Sequence, residues 1–378
     1  MSMDDLVYLS RRYGSNPDWV LAGGGNTSFK DESTLYVKAS GFPLATIGPE
    51  GFARMDRSAL AKIWKAEYPE AEREREAAAL ADLMAARVEG EDKRPSVETL
   101  MHELFPYPLV VHTHPSLVNG ITCAHDGEQA AKRLFGSRLL WVPAIEPGYI
   151  LAREMQRTAR EHEERTGTFP KLVLLQNHGL VIAGENAAEI DAMHQEVERL
   201  IRRSLVREPD MSAVEGDPAS RNRWTAALET AFDHEVAIVF EANAELVRRL
   251  ESAEAFAPLS SAFSPDHIVY AGSAPILVGP TPMNSAAGLR SLITSYERDH
   301  GSQPRIVAVE GLGVFAVAET TEACATAIAL FNDEVKIAAY AESFGGARPL
   351  DEFLVTFIEG WEVEHYRKKI SAGGKRNG

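Results

Sequence analysis

The segment PLVVHTHP, residues 108–115, contains a short apolar strand that ends in two histidines, His112 and His114. Side chains of a strand alternate between its two faces, so residues i and i+2 project to the same side. Two imidazoles on one face can share a metal ion, whereas unpaired imidazoles at a buried strand end would be costly. Because two histidines at this spacing are also common on surfaces and in cores, the motif needs a third ligand before it indicates a metal site.

A second apolar segment supplies a candidate for that third ligand. Residues 169–186, FPKLVLLQNHGLVIAGEN, are typical of a β-hairpin that turns at Asn177, His178 and Gly179. A tight turn can aim the His178 side chain at a neighbouring strand, although a histidine in a turn is more often solvated. Three histidine ligands would leave one coordination position open, as in catalytic zinc sites.

An acidic residue lies shortly before the histidine strand. Glu98 belongs to RPSVETLMH, residues 94–102, where the Pro-Ser pair at 95–96 is a typical helix start. The helix leads directly into the strand, so the Glu98 carboxylate is a candidate general base beside the metal. An acidic residue in a first helical turn is also favoured by the helix dipole alone. His102, one turn later, could be a partner of Glu98, but a packing role is the favoured interpretation.

Two further segments offer hydrogen-bond donors. GGGNTS, residues 23–28, and the Ser40-Gly41 turn supply backbone N–H groups, hydroxyls and an amide. Such concave donor clusters hold phosphate or carboxylate without net positive charge. The glycine-rich segment does not match the dinucleotide pattern G-x-G-x-x-G, because Ser28 takes the place of the third glycine. Taken alone, it is equally typical of a flexible connector.

The composition is that of a soluble globular protein. The 378 residues are 45% hydrophobic and 25% charged, with a mean hydropathy of -0.19. The 39 Lys and Arg residues against 55 Asp and Glu residues leave a net charge of -16, which argues against nucleic acid and anionic membrane surfaces as partners. Two cysteines, Cys123 and Cys324, fit a reducing compartment. The start of the chain has no signal-peptide core and no apolar run is long enough to span a membrane, so we expect a cytoplasmic protein.

The composition changes near residue 206. Residues 206–222 are polar, contain two prolines and lack periodicity, which is typical of a linker, and a helix is expected over about 225–251. Further on, PRIVAVEGLGVFAVAET at 304–320 resembles residues 170–186 at a constant offset of 134 residues. In this second copy Gly311-Leu312 replaces Asn177-His178, so a true repeat would keep the turn and lose its ionisable side chain. Chance likeness between two hairpins is the alternative.

Five stretches together resemble the class II aldolase/adducin family. They are GGGNTSFKD, LYVKASG, PSVETLMH, VVHTHP and LLQNHGLVIAG, in that order, within residues 21–184. Individually only HTHP and NHG are moderately specific, but their joint occurrence in order is strong. The extra length, with SPDHIVY and PRIVAVEGLGVFA, is similar to the aldolase part of rhamnulose-phosphate aldolase/short-chain dehydrogenase two-activity proteins. No nucleotide-binding glycine motif follows residue 361, so no NAD chemistry is expected.

The resemblance implies an α/β fold and a domain organisation. Residues 1–205 would form a three-layer α/β/α sandwich with a mostly antiparallel central sheet. Residues 206–260 would be a linker and connecting helix, and residues 261–378 a smaller C-terminal α/β unit that is a degenerate, non-catalytic repeat. The resemblance also implies a homo-oligomer, either a tetramer or a dimer, with sites near subunit contacts.

Site residues follow from the same resemblance. The family's zinc ligands match His112, His114 and His178, and its acid/base carboxylate matches Glu98. The substrate- or phosphate-binding positions match Asn26, Thr27, Ser40, Gly41 and Ser96. Many relatives have two serines before the carboxylate, whereas Val97 stands in the second place here. That departure weakens the expected phosphate pocket.

The implied function is that of an aldolase, a lyase dependent on zinc or another divalent metal. Its substrate would be a ketose 1-phosphate such as rhamnulose 1-phosphate, or a related sugar, cleaved through a metal-stabilised enediolate with which Glu98 exchanges protons. A sugar-phosphate epimerase or decarboxylase would use the same metal-stabilised enolate and stays open, as does a non-catalytic adducin-like scaffold. The retention of three histidines and a carboxylate favours the enzyme.

Overall fold

The computed structural model describes residues 2–280 and 286–361. These residues form two compact units, one made of residues 2–122, 127–204 and 361, the other of residues 123–126, 205–280 and 286–360. Each unit is a mixed α/β structure built around its own sheet. Among the helices that the structure describes, none is long and apolar enough to cross a membrane.

The first unit contains a seven-stranded sheet and eight α-helices in its described part. The strands are β1 (Asn26–Lys30), β2 (Thr34–Lys38), β3 (Phe52–Asp56), β4 (Leu109–Thr113), β5 (Leu139–Val142), β6 (Leu172–Leu175) and β7 (Gly179–Gly184). The helices are α1 (Met3–Gly14), α2 (Arg57–Ile63), α3 (Glu72–Ala85), α4 (Thr99–Leu104), α5 (Ser116–Thr122), α6 (Gly127–Phe135), α7 (Tyr149–Thr166) and α8 (Ala187–Arg202).

The sheet of the first unit is mostly antiparallel, as the family resemblance implies. Its strand order is β3-β2-β1-β4-β7-β6-β5, and every neighbouring pair is antiparallel except β5 and β6. All residues of β4 and β7 are buried. Strands covered on both faces form continuous apolar runs, which is how LVVHT and GLVIAG appear in the sequence.

Helices cover both faces of this sheet. On one face, Met101 of α4, Phe105 at the end of α4 and Met155 of α7 form a buried cluster with Val110 of β4. On the other face, Ser10 of α1 lies within hydrogen-bond distance of β1, and α8 packs on β7. The expected three-layer α/β/α sandwich is therefore confirmed.

The second unit contains a smaller sheet with the strand order β8-β11-β10-β9. Its strands are β8 (Ala237–Glu241), β9 (Ile276–Val278), β10 (Ile306–Val309) and β11 (Gly313–Ala318). Its helices are α9 (Pro218–Ala231), α10 (Ala244–Arg249), α11 (Ala253–Phe256), α12 (Pro265–Tyr270), α13 (Ala286–His300), α14 (Thr321–Ala341) and α15 (Glu352–Gly360). Residues 206–260, expected as a linker and connecting helix, lie within this unit.

Residues 225–251 do not form the single helix that the sequence analysis expects. The chain forms α9, then strand β8, then α10. Residues 237–241, AIVFE, are rich in β-branched and aromatic side chains, and they pair antiparallel with β11. Strand formation at residues 237–241 depends on pairing with β11, which is distant in sequence. The prediction of one continuous helix from the surrounding residues was therefore wrong.

The second sheet repeats part of the first. In the order β4-β7-β6-β5 the pairs are antiparallel, antiparallel and parallel, and the pairs in β8-β11-β10-β9 have the same directions. The offset of 134 residues relates β6 to β10, β7 to β11 and the start of α8 to that of α14. This shared topology favours a true repeat over a chance likeness of two hairpins.

The turns of the two hairpins also match in conformation. Asn177 and Gly311, related by the same offset, both have left-handed backbone, with φ of 54° and 68°. A Cβ atom added to Gly179 would lie 2.5 Å from the Thr113 carbonyl oxygen, and one added to Gly313 would lie 2.6 Å from that of Glu241. Glycine is required at both places because the neighbouring strand approaches so closely.

Strand register identifies which residues of the second unit correspond to the histidines. His112 is paired with Val181, and the residue 134 positions after Val181, Phe315, is paired with Phe240. The three histidine positions therefore correspond to Phe240, Ala242 and Leu312. Apolar side chains thus replace all three candidate ligands in the second unit.

A buried histidine away from the candidate site makes stability depend on pH. His194 of α8 is stacked on Tyr13, with ring centroids 4.1 Å apart, and its Nδ1–H donates to the Ile190 carbonyl. Burial lowers the pKa of His194 to about 4, while the unfolded chain has a value near 6.5. Between these values the unfolded state binds more protons, so the free energy of unfolding falls as the pH falls.

The His194→Phe substitution keeps the stacked ring and removes the titrating group. We expect wild type to lose up to about 3 kcal/mol more stability than this variant between pH 6.5 and pH 4. Denaturant unfolding at a series of pH values measures the difference. His234→Phe, at a largely exposed position, is the control and should follow wild type. Parallel curves for wild type and His194→Phe would contradict this account.

Candidate metal centre and active site

Three histidine side chains converge at one end of β4. The Nε2 atom of His112 lies 2.9 Å from that of His114 and 3.3 Å from that of His178. One ring nitrogen from each histidine lies within 4.8 Å of the others. They meet because β4 pairs with β7, whose preceding turn carries His178. The structure therefore brings together the three candidate ligands that the sequence analysis selects.

Neighbouring backbone groups hold these rings in place. The Nδ1–H of fully buried His112 donates to the Leu180 carbonyl at 2.9 Å, which leaves the Nε2 lone pair directed at the cluster. The backbone N–H of His114 donates to the Trp19 carbonyl. A Cβ atom on Gly179 would lie 2.8 Å from the His114 ring, so the turn glycine leaves the space that this ring occupies.

The donor set suits a divalent cation. Nitrogen lone pairs held about 3 Å apart repel each other unless a cation or a proton lies between them. Imidazole nitrogen is a preferred ligand of zinc, and three protein ligands with an open position are typical of catalytic zinc. The hydrogen bond from His112 to a backbone carbonyl is the usual support for a ligating histidine.

Glu98 places its carboxylate against this cluster. Its Oε1 atom lies 3.1 Å from Nε2 of His178 and 3.5 Å from Nε2 of His112. Burial alone would raise the pKa of Glu98, but the two neighbouring imidazoles hold that pKa well below its usual range. The side chain is therefore an ionised proton acceptor next to the candidate ligands.

The helix that follows Glu98 begins later than the sequence analysis expects. Helix α4 starts at Thr99, with Glu98 as its N-cap residue. The preceding residues 94–96 are extended and pair with residues 38–40 through two backbone hydrogen bonds and one β-bridge. Proline disfavours helical backbone in the residue before it, so the segment around Pro95 stays extended. This pairing places Ser40 opposite Arg94 and Lys38 opposite Ser96.

Asn26 lies beside the ligands on the same face of the sheet. It is the pairing partner of His112 in the register of β1 and β4. Its Nδ2 group donates to Oε2 of Glu98 and, at 3.2 Å, to Oγ of Ser96. These contacts show that the Asn26 amide is directed at the candidate general base. The phosphate contact that the family resemblance implies for Asn26 stays a prediction.

The hydroxyl of Ser96 accepts two hydrogen bonds within the site. Its Oγ accepts from the Asn26 amide and from the Glu98 backbone N–H, each at 3.2 Å. With both acceptor positions used, its O–H must point away from these groups, and it has no acceptor among the residues that the structure describes. Nearby, the Ser40 hydroxyl donates weakly to the Pro95 carbonyl at 3.4 Å, and Gly41 has left-handed backbone with φ of 84°.

The side chain of Thr27, an expected site residue, is directed away from Asn26 and His112. Its hydroxyl is fully buried on the opposite face of the sheet, 2.6 Å from Oγ of Ser10 in α1. The sequence analysis treats residues 23–28 as one loop, whereas Asn26 and Thr27 belong to strand β1. Adjacent side chains of a strand point to opposite faces, so only one of the two can face His112.

A sequence profile of the Class II Aldolase and Adducin N-terminal domain matches residues 4–205, more than half of the chain. The chain belongs to the class II aldolase and adducin family. The resemblance identified from five short motifs is thereby confirmed, and the matched region contains all three histidines and Glu98.

Individual relatives of this class II aldolase-family chain are distant. It is 24% identical over 415 residues to the uncharacterized oxidoreductase YuxG of Bacillus subtilis (strain 168), in an alignment that covers 98% of this chain and 58% of that protein. The chain therefore spans little more than half the length of this relative. An oxidoreductase of that length fits the expected similarity to two-activity aldolase/dehydrogenase proteins.

Solved structures of the family are similar to about half of the chain. The N-terminal class II aldolase domain of a conserved protein from Thermoplasma acidophilum is 30% identical, over 54% of this chain and 93% of that chain, with a TM-score of 0.45. The L-fuculose-1-phosphate aldolase of Thermus thermophilus is 13% identical, over 53% of this chain and 93% of that chain, with a TM-score of 0.35.

The motif-based analysis of this class II aldolase-family chain did not identify two side chains next to the candidate site, those of His102 and Ser28. His102 is fully buried, with Nδ1 2.7 Å from Oγ of Ser28 and Nε2 bonded to Oδ1 of Asn26. The four-residue spacing from Glu98 to His102 is visible in the sequence, but it was interpreted as packing. No sequence signal pairs His102 with β1, because that contact joins residues 76 positions apart.

Replacing a candidate ligand tests the metal centre. The His114→Ala variant keeps two histidines and loses the third, so we expect it to lose stoichiometric zinc binding. Metal analysis after dialysis, together with titration calorimetry, measures this. His234→Ala, at an exposed position in the second unit, should bind zinc like wild type. One tightly held zinc ion per chain in His114→Ala would overturn the ligand assignment.

Proposed function

We propose that this chain is a divalent-metal-dependent lyase that cleaves a carbon–carbon bond of a sugar or sugar phosphate by a retro-aldol reaction. The observation that carries the proposal is the position of the Glu98 carboxylate, 3.1 Å and 3.5 Å from two of the three clustered histidine nitrogens. Membership in the class II aldolase and adducin family supports the reaction class. A binding protein without catalysis would not require an ionised carboxylate at this place.

We propose zinc as the cation and His112, His114 and His178 as the residues that hold it. When bound, the cation would act as a Lewis acid that stabilises negative charge developing on the substrate oxygens. The three histidines supply neutral nitrogen ligands, so the charge of the cation would not be cancelled by its own protein ligands. That leaves the full electrostatic effect available to the substrate.

Glu98 is the proposed proton carrier. Asn26 holds Oε2, while Oε1 faces the histidine cluster. In the direction of aldol addition the ionised carboxylate would remove a proton from the substrate carbon next to the carbonyl group, and in the cleavage direction Oε1 would return that proton to the same carbon. Holding one carboxylate oxygen leaves the other in a defined position for proton transfer, which is the positional advantage that a catalytic base needs.

Substrate oxygens would be bound beside Glu98. The Ser96 hydroxyl, the backbone around Gly41 and the Ser40 hydroxyl are the proposed donors, for either a phosphate or a sugar hydroxyl. Val97 replaces the second serine that many relatives have before the carboxylate, so this chain supplies one hydroxyl fewer. For that reason the substrate class includes unphosphorylated ketoses as well as ketose 1-phosphates.

The second unit is proposed to be non-catalytic. Apolar Phe240, Ala242 and Leu312 occupy the places that correspond to the three histidines, so its sheet has no equivalent metal site.

We further propose a homo-oligomer acting in the cytoplasm on a small-molecule substrate. The net charge of -16 supports the absence of nucleic-acid partners.

A substrate screen tests the proposed reaction. Zinc-loaded protein is incubated with a panel of ketose 1-phosphates and their unphosphorylated analogues, and the products are followed by NMR. We expect an aldehyde and a three-carbon ketone or ketone phosphate from at least one substrate. An epimer without cleavage, or loss of carbon dioxide from a sugar acid included in the panel, would replace the lyase by one of the alternative enzymes. No bound zinc and no turnover would favour the scaffold.

The Glu98→Gln substitution isolates the proton-transfer step. Glutamine keeps the size of the side chain but cannot accept a proton, so we expect kcat to fall by about 10²–10⁴-fold while one zinc ion per chain remains bound. Steady-state kinetics and metal analysis measure the two effects. Glu103→Gln is the matched control, since Glu103 lies near the end of the same helix and pairs with Arg57. Near-normal turnover in Glu98→Gln would show that another group is the base.

A further inference from the structure

Next to Glu98, a buried chain of hydrogen bonds links α4 to β1. Its centre is His102, which is 0% exposed. The ring binds Ser28 through Nδ1, at 2.7 Å, and Asn26 through Nε2. Asn26 in turn binds Oε2 of Glu98. The proposed metal ligands and substrate donors do not account for a histidine in this place.

Chemistry fixes the direction of every hydrogen bond in this chain. An amide oxygen can only accept, so Nε2 of His102 carries the hydrogen that is donated to Oδ1 of Asn26. Burial lowers the pKa of His102 to about 3, so the ring is neutral at ordinary pH. Its Nδ1 atom is then unprotonated and accepts from the Ser28 hydroxyl.

The His102 ring thereby determines how the Asn26 amide is turned. With Oδ1 bound to Nε2–H of His102, the amide N–H₂ group must face Glu98 and Ser96. The opposite orientation would direct the amide oxygen at a carboxylate and the amide hydrogens at a ring N–H. Both contacts would be repulsive in a buried setting, where unpaired polar groups cost the most.

The Glu98 carboxylate needs the hydrogen bond from Asn26 because helix α4 does not fix the position of this side chain. It is the N-cap residue of α4, with φ of -87° and ψ of 12°, and its own side chain makes no capping hydrogen bond. The support itself is firmly anchored, since Asn26 is 4% exposed. At the other end of α4, Nζ of Lys30 donates to the carbonyls of His102 and Phe105 at 2.6 Å and 2.7 Å.

We propose that His102 is a positioning residue, which with Ser28 orients the Asn26 amide so that it holds Oε2 of Glu98 and leaves Oε1 facing the histidine cluster. This inference rests on the proposed role of Glu98 as the proton carrier. The side-chain hydrogen bonds of His102 go to Asn26 and Ser28, and not to the three candidate ligands. Its effect on turnover would pass entirely through the geometry of Asn26 and Glu98.

Two substitutions separate this role from simple packing. His102→Phe keeps a buried ring of similar size and removes the donor to Asn26, so we expect kcat to fall by about 10–100-fold, with KM and zinc stoichiometry near wild type. His102→Gln retains an N–H group that can donate to Oδ1 of Asn26 and should recover most of the lost kcat. If the two variants are equally impaired, or if His102→Phe turns over like wild type, the proposal is wrong.

A third variant covers the case in which His102→Phe does not fold. Ser28→Ala removes the hydroxyl that keeps Nδ1 of His102 unprotonated, which allows the ring to change tautomer and release the Asn26 amide. We expect kcat to fall by about 3–10-fold in a protein that still folds. Unchanged kcat in a folded Ser28→Ala protein would count against the proposal.

A structural measurement decides the question without turnover. Crystal structures of wild type and His102→Phe, both grown with zinc, should differ at Glu98: in the variant the carboxylate is rotated or the contact between Oε2 and Nδ2 of Asn26 is lost. An unchanged Asn26–Glu98 contact would overturn the inference. Because this comparison needs no substrate, failure of the proposed lyase reaction is distinguishable from failure of the positioning role.

Discussion

The position of β4 between β1 and β7 is the constraint on which the candidate site depends. Pairing with β7 puts Val181 opposite His112 and the turn that carries His178 just beyond the strand end. Pairing with β1 puts Asn26 opposite the same histidine. Paired residues on neighbouring strands share a face of the sheet. The two pairings therefore place the candidate ligands next to the Asn26 amide, which binds Glu98. A slip of one residue in either ladder would turn the corresponding side chain to the other face.

The second unit shows that this backbone arrangement does not by itself require the chemistry. It keeps the order and directions of four strands, a left-handed residue in the turn and the glycine that the neighbouring strand approaches. These features satisfy backbone geometry, and they persist where Phe240 and Leu312 have taken the places of His112 and His178. Function in the first unit therefore depends on a few side chains added to a backbone that is stable without them.

The side chains around Glu98 in the first unit do not reflect the overall negative charge of the chain. The chain carries a net charge of -16, yet the groups collected around Glu98 are nitrogen donors and candidate ligands. His102 stays neutral because burial lowers its pKa, so it can fix a hydrogen-bond direction without adding a charge. A carboxylate beside three imidazoles is a suitable environment for a divalent cation.

The sequence by itself determined the features that depend on neighbours in the chain. The apolar strand before His112, the hairpin that turns at His178 and the order of the family motifs were all visible, because strand alternation and turn preferences act over a few residues. Only the tertiary structure decided which way Thr27 faces, that residues 237–241 form a strand, that Glu98 precedes α4 and that His102 binds Asn26. Each of these depends on pairing between segments far apart in sequence, such as the 76 positions that separate Asn26 from His102, and local preferences do not contain that information.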